Sequence, residues 1–230
     1  SRATQTNGSN KKLKRKKLKM ARRLEKRKRP TREDKPLNAV TKITHHVFDN
    51  KTIEVIVHLK NNKVITGIDY PIAEGKEANV FKARSPNGDV AVKVFKYETS
   101  TFLQRSMLKY IQGDPRFTSL KQTHRSLVKL WARKEFSNLK ACEDAGVSAP
   151  KPIKQRENVI VMQFLGEGGI SYTLLKDYPF DNFDNVQQIY EKIVENMEKF
   201  WRHGFVHADL NEFNILVNNN EMWFIDFAQL

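Results

Sequence analysis

Three residues near the end of the chain have the types and spacing for phosphoryl transfer. Asp209 and Asn214 lie in HADLNEFN, and Asp226 lies in WFIDF. The pattern is H-x-D-x-x-x-x-N followed by an apolar run that ends in a second Asp. Asp209 is the candidate base or hydroxyl-orienting group. Asn214 and Asp226 offer hard oxygen donors of the kind that hold Mg²⁺ on nucleotide phosphates. An acid in the middle of WFIDF would be poor core design without a cation nearby. His207, in the same loop, reads as a structural hydrogen-bonding histidine rather than a catalyst.

A site of this kind needs a cation for the phosphates and elements to position it. The run VAVKVF reads as a strand, with Lys93 sharing one face with Ala91 and Phe95 and the valines at 90, 92 and 94 on the other. V-A-V-K matches the V-A-I-K pattern of protein kinases, where Lys grips nucleotide phosphates. A surface lysine that snorkels is the plainer alternative. In LWARKEFSNLKACEDAG, residues 131, 135, 139 and 142 put Glu135 on an apolar helical stripe with Trp131, Leu139 and Cys142. A buried carboxylate needs a partner, and Lys93 is the obvious one; an edge position for Glu135 is the alternative. The loop AEGKEANVF holds a single glycine and matches no glycine-rich phosphate loop. Gly75 still permits close backbone approach and Lys76 adds charge, although an ordinary tight turn reads the same way. VIVMQF followed by glycines suggests a crossing between lobes, with Met162 and Leu165 against an adenine base; a plain core strand is the other reading.

The remaining elements frame these groups. Residues 38–60 suit either a helix capped by Asp49 or a strand, and the helix is favoured. VITGIDYPIA, ANVFKAR and VAVKVF form antiparallel strands, with SPNGD as turn chemistry between the last two. The helix containing Glu135 ends at Gly146. The mixed segment ETSTFLQRSMLKYIQGDPRFTSLKQT is expected to be partly helical, with a turn at Gly113–Pro115. Residues 184–203 read as a helix whose stripe of Val186, Ile189, Tyr190, Ile193, Met197, Phe200 and Trp201 is core, stopped by Gly204. Residues 215–217 and 222–225 flank an NNNE turn as a hairpin.

Charge is concentrated at one end. Residues 1–35 carry 16 Lys or Arg against 3 Asp or Glu, a net +13, while the rest of the 230-residue chain has 25 against 23. The arm lacks the apolar residues for a core and is expected to be disordered and solvated, to bind RNA or nucleoprotein electrostatically without base readout, or to serve as a nuclear localisation signal. Pro30 and Pro36 bracket a break, and a folded domain is expected from about Leu37. No apolar run is long enough to span a bilayer and no signal peptide is evident. Cys142 is the only cysteine, which excludes an internal disulfide and a cysteine-rich zinc site and suits a reducing, intracellular setting.

From about Leu37 onward the chain resembles the RIO protein kinases, atypical serine/threonine kinases of small ribosomal subunit maturation. The resemblance rests on IAEGKEANVF, VAVKVFK, LWARKEFSNLK, VMQFLG, HADLNEFN and IDFAQ. It is greatest for the type-one branch, since the second branch bears a winged-helix domain that residues 1–36 cannot supply; the type-three branch stays open. The resemblance implies an α+β, two-lobed protein-kinase-like fold. Its N-lobe, residues 37–165, would be an antiparallel sheet with one key helix, and residues 166–230 a small helical C-lobe that looks curtailed. It implies ATP with Mg²⁺, or Mn²⁺ in its place, bound by Ala73, Gly75, Lys76, Val80, Lys93, Glu135, Met162 and Leu165. Asp209 would be the proton acceptor, and Asn214 with Asp226 the metal ligands. Family members are described as forming a phospho-aspartate at the position of Asp226 and as cycling ATP on pre-ribosomes. Partners would be ATP and the pre-ribosomal small subunit with its RNA, in the cytoplasm, with shuttling to the nucleus in a eukaryote. Three residues depart from the pattern: Ala73 and Glu74 replace loop hydroxyl residues, which implies a weaker phosphate grip, and Asn211 replaces the Ser of DLSE.

Overall fold

The computed structural model describes residues 48–97 and 123–227. The basic arm, the expected domain start near Leu37, and the mixed segment 98–122 with its turn at Gly113–Pro115 lie outside the described residues, as do the last three positions. The first helix, α1 (Asn50–Asn61), begins where Asp49 caps it: its carboxylate accepts from the Lys51 and Thr52 amides at 2.9 and 3.1 Å. This bears out the helical reading over the strand. Val55, Ile56 and Leu59 are buried against one face of a sheet, together with Phe81 and the valines 90, 92 and 94.

That sheet has five antiparallel strands in the order β1-β2-β3-β5-β4: β1 (Gly67–Glu74), β2 (Ala78–Ser85), β3 (Gly88–Phe95), β4 (Pro152–Arg156) and β5 (Val159–Gln163). Period-two alternation along β3 sends Val90, Val92 and Val94 towards α1, while Phe95 joins a second core on the other side. The turn between β2 and β3 closes at Gly88, whose φ of 119° is open only to glycine at low cost. The second core is built on α2 (His124–Asp144), capped by Thr123 and ended by Gly146 at φ 67°. Trp131, Leu139 and Cys142 are buried in it, as the stripe predicts. Burial pushes the Cys142 thiol up to about 12. The native protein should therefore resist alkylation at neutral pH, and one thiol per chain should react after denaturation; rapid native labelling in a mass-spectrometric assay would contradict this packing.

Beyond β5 the chain makes a short hairpin, β6 (Gly166–Glu167) with β7 (Ile170–Ser171), tied back to β1 by the Tyr70 hydroxyl, which donates to the Gly169 carbonyl. β8 (Thr173–Leu174) then pairs with β9 (Ile215–Asn218), which pairs with β10 (Glu221–Phe224). The hairpin at NNNE is present, turned through Asn219 at φ 53°.

The third helix, α3 (Phe183–Arg202), corrects one expectation. Only Ile189 and Phe200 of the predicted stripe are buried, with Ile193 half-buried, whereas Val186, Tyr190, Met197 and Trp201 are exposed. The seam runs through Ile189, Ile193, Asn196 and Phe200, at spacings of four, three and four. Asn196 fixes it, accepting from the Ser148 amide at 2.7 Å and donating to the Lys192 carbonyl at 2.8 Å. The apolar arc of α3 is wider than the surface it rests on among the described residues.

Candidate active site

Strand register assembles half of the site. Val80 on β2 lies opposite both Ala73 on β1 and Lys93 on β3, and Ala91 lies opposite Met162 on β5. One row of the sheet therefore runs from the loop strand to the lysine, and the next carries Met162. Lys93 is almost fully buried, and its Nζ reaches both Glu135 carboxylate oxygens, at 2.7 and 2.8 Å. Strand face and helix stripe thus meet as their separate periodicities required. The same Nζ lies 3.4 Å from Asp226 Oδ1, so one cation joins α2 to the end of the β9–β10 hairpin.

The electrostatics follow from burial. Removal from water opposes the charge on Lys93, but the carboxylates of Asp226 and Glu135 outweigh it and hold the ammonium above its ordinary range. Glu135 is raised by its own burial, with Lys93 pulling it back. The pair is stable as a pair; removal of either member of a buried pair costs about 3–5 kcal/mol.

The loop after α3 supplies the other half. Asn214 Nδ2 donates to the Asp209 carbonyl at 2.8 Å and approaches its carboxylate at 3.4 Å. Asn211 also donates to Asp209, at 3.1 Å to the carbonyl and 3.3 Å to Oδ1, and closes the turn by accepting from the Phe213 amide. The residue that departs from DLSE therefore orients the carboxylate. The Ile225 amide donates to the Asn214 carbonyl at 2.9 Å, which sets Asp226 beside the loop. Asp226 itself sits at φ 68°, a left-handed backbone uncommon outside glycine, with its carboxylate about half exposed. His207 packs among Phe200, Phe224 and Phe227, and its Nδ1 accepts from the Asp209 amide at 3.3 Å. Burial lowers its pKa against the pull of Asp226. That is the structural role expected of it.

The phosphate-loop residues are less enclosed. Gly75 closes a tight turn, its amide donating to the Ala78 carbonyl at 2.9 Å and its carbonyl accepting from Lys96 Nζ at 2.7 Å. A Cβ at Gly75 would meet that Ala78 carbonyl at 3.0 Å, so the turn is tight enough to favour glycine. Ala73 and Lys76 are exposed and Val80 is half-buried. Leu165 is buried, with its carbonyl accepting from the Tyr172 amide, and Met162 is half-buried at the margin of the second core.

Two residues escaped the sequence reading. Glu77 is half-buried; burial raises its carboxyl, Asp226 adds to this, and Lys93 opposes it. Asn138, one turn beyond Glu135 and fully buried, donates to the Phe227 carbonyl at 2.8 Å and so holds the backbone just past Asp226. Its place on the stripe of Trp131, Glu135 and Cys142 was the available signal. Asn138→Ala should cost about 1–3 kcal/mol by stranding a buried carbonyl, and it should lower kcat for ATP turnover more than it raises KM. A melt and a steady-state assay check both, and an unchanged kcat would show that Asp226 needs no such anchor.

Asn214 and Asp226 suit Mg²⁺. With the Asn214 amide nitrogen engaged by Asp209, its oxygen is left for a ligand, beside a half-exposed carboxylate. Mg²⁺ is ordinarily held by one or two carboxylates together with substrate phosphates and water. Among the described residues no group of three or more His, Cys, Asp or Glu could hold a metal ion.

A five-stranded N-terminal sheet with a lysine–glutamate bridge to one helix, facing an H-x-D loop and a metal-type Asp, defines the protein-kinase-like class. The family model for the RIO domain matches residues 79–230, and the chain belongs to that family. It is 41% identical to the RIO-type serine/threonine-protein kinase Rio1 of Methanocaldococcus jannaschii, over 82% of this chain and 63% of that protein. It is 38% identical to the Haloferax volcanii Rio1, with the same coverages, and 33% identical to RIO1 of Saccharomyces cerevisiae, over 80% and 43%. The chain thus spans less than two thirds of the length of these relatives. The solved Rio2 kinase–ADP/Mg²⁺–phosphoaspartate complex of Chaetomium thermophilum superposes with a TM-score of 0.56 at 22% identity, covering 76% of this chain and 51% of that one. At that identity the likeness supports the fold alone.

Proposed function

We propose that this chain carries the nucleotide site of an atypical, Mg-ATP-dependent serine/threonine kinase or ATPase that acts inside the cell in maturation of the small ribosomal subunit. The observation that carries the reading is the bridge from Glu135 through Lys93 to Asp226, beside the Asp209–Asn214 pair. Lys93 is charged and fixed for the nucleotide phosphates. Met162 and Leu165 flank the adenine, with Ala73, Gly75, Lys76 and Val80 over the phosphates. Mg²⁺ or Mn²⁺, when held by Asn214 and Asp226, neutralises charge on the phosphate oxygens. Asp209 orients an incoming hydroxyl and accepts its proton. With no hydroxyl substrate in place, an Asp226 oxygen attacks the γ-phosphorus as the bond to ADP breaks and ADP leaves with the electron pair. Water then cleaves the acyl phosphate and regenerates the carboxylate. The names of the Rio1 relatives support the kinase reading.

The +13 arm favours a second reading, an ATP-gated factor that docks on pre-ribosomal RNA and for which protein phosphorylation is incidental. Tracing γ-labelled phosphate during turnover, with and without ribosomal RNA, separates the two. Label on Ser or Thr of a partner supports the kinase. Inorganic phosphate alone, released at an RNA-dependent rate, supports the gated factor. No ATP turnover under either condition would overturn both.

A further inference from the structure

A groove of about 410 Å³ opens on the flank of the N-terminal sheet, away from the nucleotide site, where α1, the start of α2 and the β4–β5 turn converge. Helix α1 contributes Lys51, α2 contributes Arg125 and Lys129, and the end of β4 contributes Arg156. Two carboxylates are present, and both are engaged: Glu54 by Lys51 at 3.3 Å and Glu157 by Lys129. Arg125 and Arg156 form no ion pair among the described residues. The Arg125 guanidinium lies over the Tyr97 ring, 5.4 Å from its centroid, which holds it in place and leaves its donor edge available.

Tyr97 makes the groove more than a patch of surface charge. Its side chain lines the floor at 8% exposure, and its hydroxyl has no hydrogen-bond partner among the described residues. Burial, then the charges of Glu157 and Asp49, push that phenol up to about 12 against the pull of Arg125, so it remains an O–H donor. An O–H donor without a protein acceptor among the described residues, in one groove with two arginines that form no ion pair, is a set of groups complementary to a phosphate. The volume falls in the range of pockets that admit a whole small ligand, more than a single phosphate requires.

We propose that this groove seats the phosphodiester backbone of RNA. The proposal rests on the RNA partner of the functional reading above and gives it a location on the folded body. RNA is favoured over a phosphorylated protein by the arm: 16 basic residues end at Lys35, only 16 positions before Lys51, a stretch that spans at most about 55 Å. One polyanion can therefore meet both. The Tyr97 ring is covered by Arg125, so recognition is of backbone and not of base faces.

The test is fluorescence anisotropy of a labelled single-stranded 20-nucleotide RNA with the full chain, titrated from about 50 to 200 mM salt. Four proteins are compared: the native chain, Arg125→Gln/Arg156→Gln, the chain with its arm Lys and Arg changed to Gln, and the combination. The groove variant should bind about 10-fold more weakly and lose about 1–2 from the salt slope. The arm-neutralised chain should retain weaker RNA binding, which the combined variant abolishes. Arg125→Lys/Arg156→Lys should restore most of the slope. ATP turnover should be unchanged, since Arg125 stands about 15 Å along α2 from Glu135; circular dichroism confirms the fold. RNA affinity and slope that ignore the groove variant in both backgrounds would overturn the groove and leave the arm as the RNA contact. A phosphoserine peptide whose binding falls in the groove variant while RNA binding does not would assign the groove to a phosphoprotein. No RNA binding by the native chain would overturn the functional reading along with the groove.

Discussion

Lys93→Ala should reduce ATP turnover by about 10²–10³-fold or more, the scale seen when one fixed charge-stabilising donor is removed from an active site. It should also destabilise the fold by about 3–5 kcal/mol, because Glu135 is then left buried without its cation. The two losses respond differently to pH. In the variant the Glu135 carboxyl is raised by burial and by Asp226, with the opposing pull of Lys93 gone. A carboxyl whose folded pKa lies above its unfolded value favours the folded state at low pH, and that advantage is lost as pH rises through the folded value. The variant should therefore melt closer to wild type at pH 5 than at pH 8. Lys93→Met/Glu135→Leu should recover most of the stability at every pH and none of the turnover. A double variant with restored turnover would show that the pair is only packing.

Asp226→Asn should abolish turnover, by about 10³-fold or more, and abolish any acid-stable, hydroxylamine-labile label from γ-labelled ATP. The substitution is isosteric, and Asn tolerates the left-handed backbone at φ 68° at least as well as Asp. The Lys93–Glu135 bridge stays in place, so the fold and some nucleotide affinity should survive. Asp209→Ala separates the routes: it should stop transfer to a hydroxyl while leaving nucleotide binding largely intact. Label that resists hydroxylamine, or that persists in Asp226→Asn, would identify Ser or Thr autophosphorylation and eliminate the aspartyl route.

What could be read from the sequence depended on whether a residue's type made a demand on its surroundings. Glu135 on an apolar stripe needs a cation, and Lys93 on an inward strand face needs an anion, so the bridge could be inferred from two independent periodicities. The β9–β10 hairpin was legible because NNNE admits the left-handed Asn219. The extent and stop of helix α3 were legible, but its stripe was misread as all core because periodicity reports where apolar residues lie, not which of them find a partner. Val186 and Tyr190 satisfy the helical pattern as well as Ile189 does, and only packing separates them. Asn196 was passed over because an amide interrupts the apolar pattern, yet it sets the seam. The backbone of Asp226 could not be foreseen, since neither its side chain nor its neighbours announce a positive φ.

Asn158 has a consequence for how the two ends of the lobe communicate. Its buried amide donates both to Thr52 on α1 and to the Phe95 carbonyl at the end of β3, each at 2.8 Å, and Thr52 in turn donates to the cap Asp49. The first turn of α1 is therefore clamped to the strand end two residues from Lys93. The start of α1 cannot shift relative to β3 without breaking a buried hydrogen bond, so the position of the helix and that of the lysine-bearing strand are set together.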